Sequence, residues 1–471
     1  MYISEVKISG IRGFSGSRSV DLKLTRPDGS HAGWTVLAGR NGSGKTTLLR
    51  ALALVMAGPS TARGLVPDFE GWVSDGLAHG FVKAMIVFDA DKDRFVDSQL
   101  AGKFAGHRHP KNRVAWFSAQ LNWSRRVSGD SERHVTRSSM GSRGETASRG
   151  PWADDAMGWF FAGYGPFRRI IGGSAEAQRL MLSAGPVQRL ATLFHEDASL
   201  AESVGWLIDL HLQRLEQRPG AEEKLAFVID LLNDGLLPDG FRVEKVDREG
   251  LWAERSGQVI PLRELSDGYR TVTALVLDLV RQLINTYESS LEALDRLIAG
   301  EAPIPVFIEE SGDRPVVRTP GVVLIDEIDA HLHVSWQKKI GPWLTSHFPA
   351  MQFIVTSHSP YICQSADPGG LIRLPGIDED VPPRVVDEEL YERVVYGSGD
   401  DALLTDLFGV DSPYSGRAEE MRRRLTVLER AVLRGRASAE EQREYERLRE
   451  TLTSSLAARV DEVAARIFDI P

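Results

Sequence analysis

One stretch constrains this chain more than any other: Gly39-Arg40-Asn41-Gly42-Ser43-Gly44-Lys45-Thr46-Thr47. It fits the pattern G-x-x-x-x-G-K-[ST]. It also sits between an apolar strand candidate, Thr35–Ala38, and a helical pattern over Thr46–Met56. The glycines let successive backbone N–H groups converge on phosphate oxygens, and the start of the helix adds partial positive charge. Lys45 then reaches the β- and γ-phosphates, and the Thr46 hydroxyl is placed to bind Mg²⁺. The competing reading is a glycine-rich turn with a chance lysine, and the flanking strand and helix weigh against it. An α/β fold with a nucleoside triphosphate site follows.

A second element is Val322-Val323-Leu324-Ile325-Asp326-Glu327. An apolar strand ending in two carboxylates delivers them to the sheet edge where nucleotides bind in open α/β folds. Asp326 is expected to hold Mg²⁺ through water, and Glu327 to orient and deprotonate an attacking water. Such a run alone is also a common strand end; beside a phosphate loop it gains weight.

Two weaker elements complete the set. Glu264-Leu265-Ser266-Asp267-Gly268-Tyr269-Arg270 opens a helical stretch at Thr271–Ile284 and brings Ser266, Asp267 and Gly268 to a helix start, a place that favours anions. Alone it reads more readily as a capped helix start. His358 follows the apolar run Phe353–Thr356 about 30 residues beyond the acidic pair, within reach of a γ-phosphate. Alone it would be read as structural.

The order of these four elements resembles that of the ATP-binding-cassette ATPases of the RecF/SMC type. Leu265-Ser266-Asp267-Gly268 is similar to their signature motif, Asp329-Ala330-His331-Leu332-His333 to their D-loop, and Met1–Phe14, with Ile11-Arg12-Gly13-Phe14, to their opening strand. Ala162–Arg168, Ile328–Gln337 and Asp406–Gly409 further resemble stand-alone bacterial AAA-family ATPases, including the ATPase subunit of Septu-type anti-phage defence systems. The resemblance implies a P-loop ATPase head of the ABC type, with a mixed or parallel sheet flanked by helices. It also implies Mg²⁺-dependent ATP hydrolysis at Lys45, Glu327 and His358. Two protomers would sandwich ATP, with Ser266 and Gly268 acting in trans. The glutamine loop matches least well, with Gln120 as its candidate. The expected biology is regulation of a separate effector, a nuclease, in defence against phage or foreign DNA. A RecF-type repair ATPase is the alternative, and a transporter ATPase subunit or a module using ATP only to oligomerise are more distant rivals.

Features that are missing narrow this further. RecF/SMC relatives carry long coiled coils between phosphate loop and signature, but Thr47–Leu265 holds no sustained heptads. A single cysteine, Cys363, forbids a zinc hook and an intramolecular disulfide and points to a reducing compartment. The region after His358 shows no clustered carboxylates of a nuclease domain; Asp378-Glu379-Asp380 reads as a solvated loop.

The chain has 471 residues, too many for one core of ordinary size. Four segments are expected. Residues 1–175 form the first part of the ATPase head, with a basic loop. Residues 176–240 are a helical insertion, and 241–410 carry the signature, acidic pair and histidine. Residues 411–471 form a helical hairpin, where Ser438 and Glu441 have capping-box spacing. No apolar run spans a bilayer and no signal-peptide pattern opens the chain, so a cytoplasmic protein without membrane contact is expected.

The formal charge of −10 excludes a basic surface overall. Yet Lys103–Arg149 holds ten Lys/Arg against three acids, a local +7, with Trp116 and Trp123 nearby. This makes DNA or RNA a candidate partner through that segment; a solvated loop is the plainer reading. His331 and His333 read as a turn, and His107 with His109 lack further ligands for zinc.

Overall fold

The computed structural model describes residues 1–89, 93, 114–126, 133–137, 147–148, 150–153, 158–170, 172–183, 185–288, 314–410 and 412–452. The chain divides into two compact units, Met1–Phe408 and Gly409–Pro471.

The first unit holds fourteen strands among its described residues: β1 (Tyr2–Ser9), β2 (Val20–Lys23), β3 (Trp34–Ala38), β4 (His79–Asp89), β5 (Val114–Arg126), β6 (Arg133–Arg137), β7 (Phe161–Tyr164), β8 (Arg242–Asp247), β9 (Gly250–Arg255), β10 (Gln258–Pro261), β11 (Gly321–Ile325), β12 (Met351–Ser357), β13 (Leu371–Arg373) and β14 (Arg384–Val385). Its principal helices are α1 (Lys45–Leu65), α2 (Ala175–Met181), α3 (Pro186–Phe194), α4 (Ala201–Leu215), α5 (Ala221–Asn233), α6 (Asp267–Glu288), α7 (Ile340–His347) and α8 (Glu388–Val395).

The central sheet has the order β14-β13-β3-β12-β11-β7. Its pairs are parallel except β13–β14. Strands buried on both faces carry apolar side chains at nearly every position, and β3, β11 and β12 are buried throughout. Their alternate residues feed two cores. Val36, Val323, Ile325, Phe353 and Val355 pack with α4, α5 and α6. Leu37, Val322, Leu324 and Ile354 pack with α1 and the antiparallel sheet β2-β1-β4-β5-β6. Each fully buried Val, Leu or Ile contributes about 1.5–3 kcal/mol. A third sheet, β10-β9-β8, is an antiparallel meander.

Helix α1 is kinked at Gly58, whose φ of +82° and ψ of 174° are not helical, and a second helical stretch follows from Pro59 to Leu65. Pro59 cannot donate to the carbonyl of Val55 four residues back. The indole Nε1 of Trp152 donates there instead, at 2.9 Å, and its ring lies where any Cβ on Gly58 would stand. Residues 176–240, expected to be helical, form separate helices broken near Gly185, at His195–Leu200 and before Gly220. Within the basic segment Lys103–Arg149, whose plainer reading is a loop, Arg133–Arg137 instead pairs with β5 as strand β6.

In the second unit, α9 (Gly416–Leu433) and α10 (Ala439–Thr451) form a hairpin turning at Gly435 (φ +66). Ser438 and Glu441 make the reciprocal capping box, and Arg424 pairs with Glu444 at 2.7 Å. The rest of the expected hairpin, residues 453–471, lies outside the described residues. Among the described residues, no helix is long and apolar enough to cross a membrane.

Candidate functional site

The register of the central sheet brings the sequence-distant elements to one edge. Ala38 pairs with Ser357, Ile325 with Val355, Tyr164 with Ile325, and Arg373 with Ala38. The phosphate loop, the acidic pair, Thr356–His358 and the loop after β7 therefore all leave the carboxyl ends of neighbouring parallel strands, where ligands bind in such sheets.

The phosphate loop is shaped by its glycines. Gly42 and Gly44 have φ of +77° and +96°. A Cβ on Gly44 would stand 2.6 Å from the Phe14 ring, which closes the loop from beneath. Lys45 is buried, and its Nζ donates to the carbonyls of Gly39 (2.8 Å) and Arg40 (3.0 Å). Burial lowers its pKa to about 8, with Asp326, Glu327 and Asp329 pulling the other way. The hydroxyl of Ser43 is buried in the loop with no hydrogen-bond partner among the described residues. An unpaired buried hydroxyl in an N–H-rich cradle fits an oxyanion ligand.

Across the edge, Asp326 is buried and accepts at Oδ1 from Thr356 Oγ1 at 2.6 Å. The same Thr356 oxygen accepts from the N–H of Glu327 at 2.7 Å. Glu327 has φ +45 and an exposed side chain. Its carboxyl pKa is raised, first by partial burial and then by Asp326 and Asp329. Asp329 accepts from Ser357 Oγ at 2.6 Å. His358 is exposed, and its pKa is lowered by partial burial and then by Lys45. Lys45, Asp326, Glu327 and His358 thus share one field. Thr46 and Asp326 supply the hard oxygen donors that suit Mg²⁺ beside phosphates.

Arg168, on the loop after β7, is buried. Its Nη1 donates to the carbonyls of Gly165 and Asp326, both at 3.0 Å, and its Nη2 to those of Glu327 and Ile328, both at 3.3 Å. Burial lowers its pKa to about 10, so it stays charged at neutral pH. Sequence reasoning gave no role to Arg168, Thr356 or Ser357; the run Tyr164–Arg168 was the available signal for the first.

The signature residues stand against the D-loop. A Cβ on Gly268 would come within 2.7 Å of the His331 carbonyl. Ser266 and Asp267 are exposed, and Asp267 pairs with Arg270. A cavity of about 290 Å³ lies beside them, lined by Phe167, Arg169, Asp267, Arg270, Thr271 and His331 among others. His333 is a capping residue: its Nδ1 accepts from the N–H of Ser335. Helix α6 is anchored at its middle, where Asp278 pairs with Arg281 at 2.7 Å and accepts from the Tyr164 hydroxyl at 3.1 Å.

Other expectations change. Gln120 lies on β5 opposite Lys83 in the antiparallel sheet and donates to Asn122. Trp123 is buried and stacked on Trp72, so it is core and not a base platform; Trp116 is exposed. Arg125 pairs with Asp75. Most of the basic segment, with His107 and His109, lies outside the described residues. The acidic turn is more than a solvated loop: Glu379 pairs with Arg373 at 2.5 Å, Asp380 accepts from Ser17, and Arg18 donates to the Gly376 and Glu379 carbonyls.

Two family models match the chain. The first, "AAA domain, putative AbiEii toxin, Type IV TA system", covers residues 192–364, and an "AAA domain" model covers residues 5–137. Among curated relatives, the Septu protein PtuA of Bacillus mycoides (strain KBAB4) is 24% identical over 74% of this chain and 37% of its own length. The retron Ec83 probable ATPase of Escherichia coli is 35% identical over 27% of this chain and 20% of its own. The chain is similar in sequence to AAA-domain proteins and to ATPases of Septu and retron systems. It spans little more than a third of the length of that PtuA, and a fifth of the retron protein. Of solved structures, the SMC head of Thermotoga maritima aligns over 82% of this chain and all of its own, at 14% identity and a TM-score of 0.36.

Proposed function

We propose that this chain binds ATP with Mg²⁺ at Gly39–Thr47, hydrolyses it, and closes as a homodimer in doing so. Turnover in turn governs a separate effector, a nuclease, in defence against phage or foreign DNA. The observation that carries the reading is the meeting of Lys45, Asp326, Glu327 and His358 at one sheet edge, around a loop whose Ser43 hydroxyl lacks a partner.

Each group has a task. The loop N–H groups and Ser43 take phosphate oxygens. Lys45 exchanges its two carbonyl partners for the β- and γ-phosphates. Thr46 and Asp326 would hold Mg²⁺, which would supply neutralisation of charge on the phosphates. Glu327 has a raised pKa and an exposed carboxyl; it orients water and accepts its proton. His358 faces the terminal phosphate. Ser266 is exposed and Gly268 half-buried at the start of α6, and both meet the partner's nucleotide. The defence reading rests on the Septu and retron relatives.

The test is ATP hydrolysis by wild type, Lys45→Ala and Glu327→Gln. Both substitutions should lower turnover by about 10²–10⁴-fold, while Glu327→Gln still binds ATP and accumulates as a dimer on size exclusion. Wild-type turnover no greater than that of Lys45→Ala would overturn the reading. Affinity capture with the products of neighbouring genes tests the effector; a neighbourhood without any nuclease or other effector counts against it.

A further inference from the structure

We propose that Arg168 is a positioning residue for hydrolysis. Its guanidinium fixes the turn from which Glu327 presents its carboxylate. The inference rests on the ATPase reading and adds to it a residue outside the four sequence motifs.

A charge taken out of water is costly unless every donor finds a partner. Arg168 offsets much of that cost through backbone carbonyls at its terminal nitrogens, while its buried Nε has no hydrogen-bond partner among the described residues. Its two terminal nitrogens reach the backbone carbonyls of three consecutive residues, Asp326, Glu327 and Ile328, besides Gly165. These carbonyls belong to a turn whose central residue has φ +45, a conformation that costs a non-glycine residue about 1 kcal/mol or more. No strand ladder extends through this turn, because β11 ends at Ile325. Backbone bonds brace it, from the Ile328 N–H to the Thr356 carbonyl (3.1 Å) and from the Ala330 N–H to the Glu327 carbonyl (2.9 Å), and side chains hold Glu327 from both sides. Thr356 accepts from the N–H of Glu327, and Arg168 donates to its carbonyl. The backbone of Glu327 is thus fixed while its side chain stays open to solvent. Water activation by a carboxylate needs this separation of a fixed base from a free face.

The geometry also says what kind of effect to expect. Arg168 touches carbonyls and not the phosphate loop's own N–H groups, so its loss should move Glu327 and leave ATP binding largely intact.

The experiment compares Arg168→Gln, Arg168→Lys, Glu327→Gln and the Arg168→Gln/Glu327→Gln double variant. Measurements are steady-state hydrolysis, affinity for a fluorescent ATP analogue, and thermal melting as a folding check. Arg168→Gln should lower kcat by about 100-fold, the scale of a misplacement near 1 Å. Affinity should stay within about threefold of wild type, and Arg168→Lys should recover part of kcat. In the double variant, the residual rate should lie within about twofold of Glu327→Gln alone, because a residue acting through another adds nothing once that other is gone. The proposal is overturned by a kcat for Arg168→Gln within about threefold of wild type, or by a loss confined to ATP affinity. It is equally overturned if the double variant suffers the full additional loss. Should Arg168→Gln not fold, the same readings on Arg168→Lys, alone and with Glu327→Gln, decide the matter. A wild type no faster than Lys45→Ala defeats the ATPase reading; an active wild type beside an unimpaired Arg168 variant defeats this proposal alone.

Discussion

The hydroxyl of Thr356 donates to Asp326 Oδ1 at 2.6 Å while accepting from the N–H of Glu327. One oxygen on β12 therefore sets the attitude of both acids that end β11. Thr356→Val keeps the shape and removes both bonds, leaving a buried carboxylate oxygen and an N–H short of partners. Stability should fall by about 1–3 kcal/mol, read from urea unfolding. ATP turnover should fall by more than the change in ATP affinity. A variant as stable and as active as wild type would show that the hydroxyl is idle.

Lys45 makes a pH prediction. Its pKa is lowered from the ordinary lysine value to about 8 by burial in the ligand-free loop. Between about pH 8 and 10.5 the unfolded chain keeps the proton that the folded chain has released, so stability referred to Lys45→Met should rise with pH in that window. Phosphate favours the charged amine, so ATP binding at pH 8.5 should take up a proton. Calorimetric titration in buffers of different ionisation enthalpy measures it, and buffer-independent heats would contradict the expectation.

A shared seam predicts complementation. Lys45→Ala lacks a working phosphate loop and Ser266→Arg a working signature turn. Each alone should be inactive, yet an equimolar mixture should regain about a quarter of wild-type turnover, because a mixed dimer keeps one intact composite site. A mixture no better than its parts would argue for sites built within single chains.

The anchor of α6 can be tested separately. Asp278 is buried between Arg281 and the Tyr164 hydroxyl, whose pKa is raised by burial and by Asp278. Asp278→Leu strands a buried guanidinium and should cost about 3–5 kcal/mol, whereas Asp278→Leu combined with Arg281→Met should recover much of it. Denaturant midpoints for the single and double variants decide between a pair that merely satisfies itself and one that adds stability.

What the sequence made legible was local. The phosphate loop, the acidic strand end and the Ser438 capping box each write their chemistry in a few adjacent residues. What it hid was contact between distant residues through groups every residue shares. Arg168 binds backbone carbonyls some 160 positions away, and carbonyls leave no mark in a sequence. The Val55 carbonyl, which Pro59 cannot serve, is met instead by the Trp152 indole from 97 positions away. Trp123 looked like a surface aromatic near basic residues, but its burial against Trp72 depends on how β5 packs over Phe69 and Trp72.

The closeness of Gly268 to the His331 carbonyl has a mechanical side. With only a hydrogen between the two turns, neither can slide without pushing the other. Any event that pulls on the loop following the acidic pair is felt at once where the chain would greet a second copy of itself. News of a spent nucleotide at one pocket would need no long lever to reach the next.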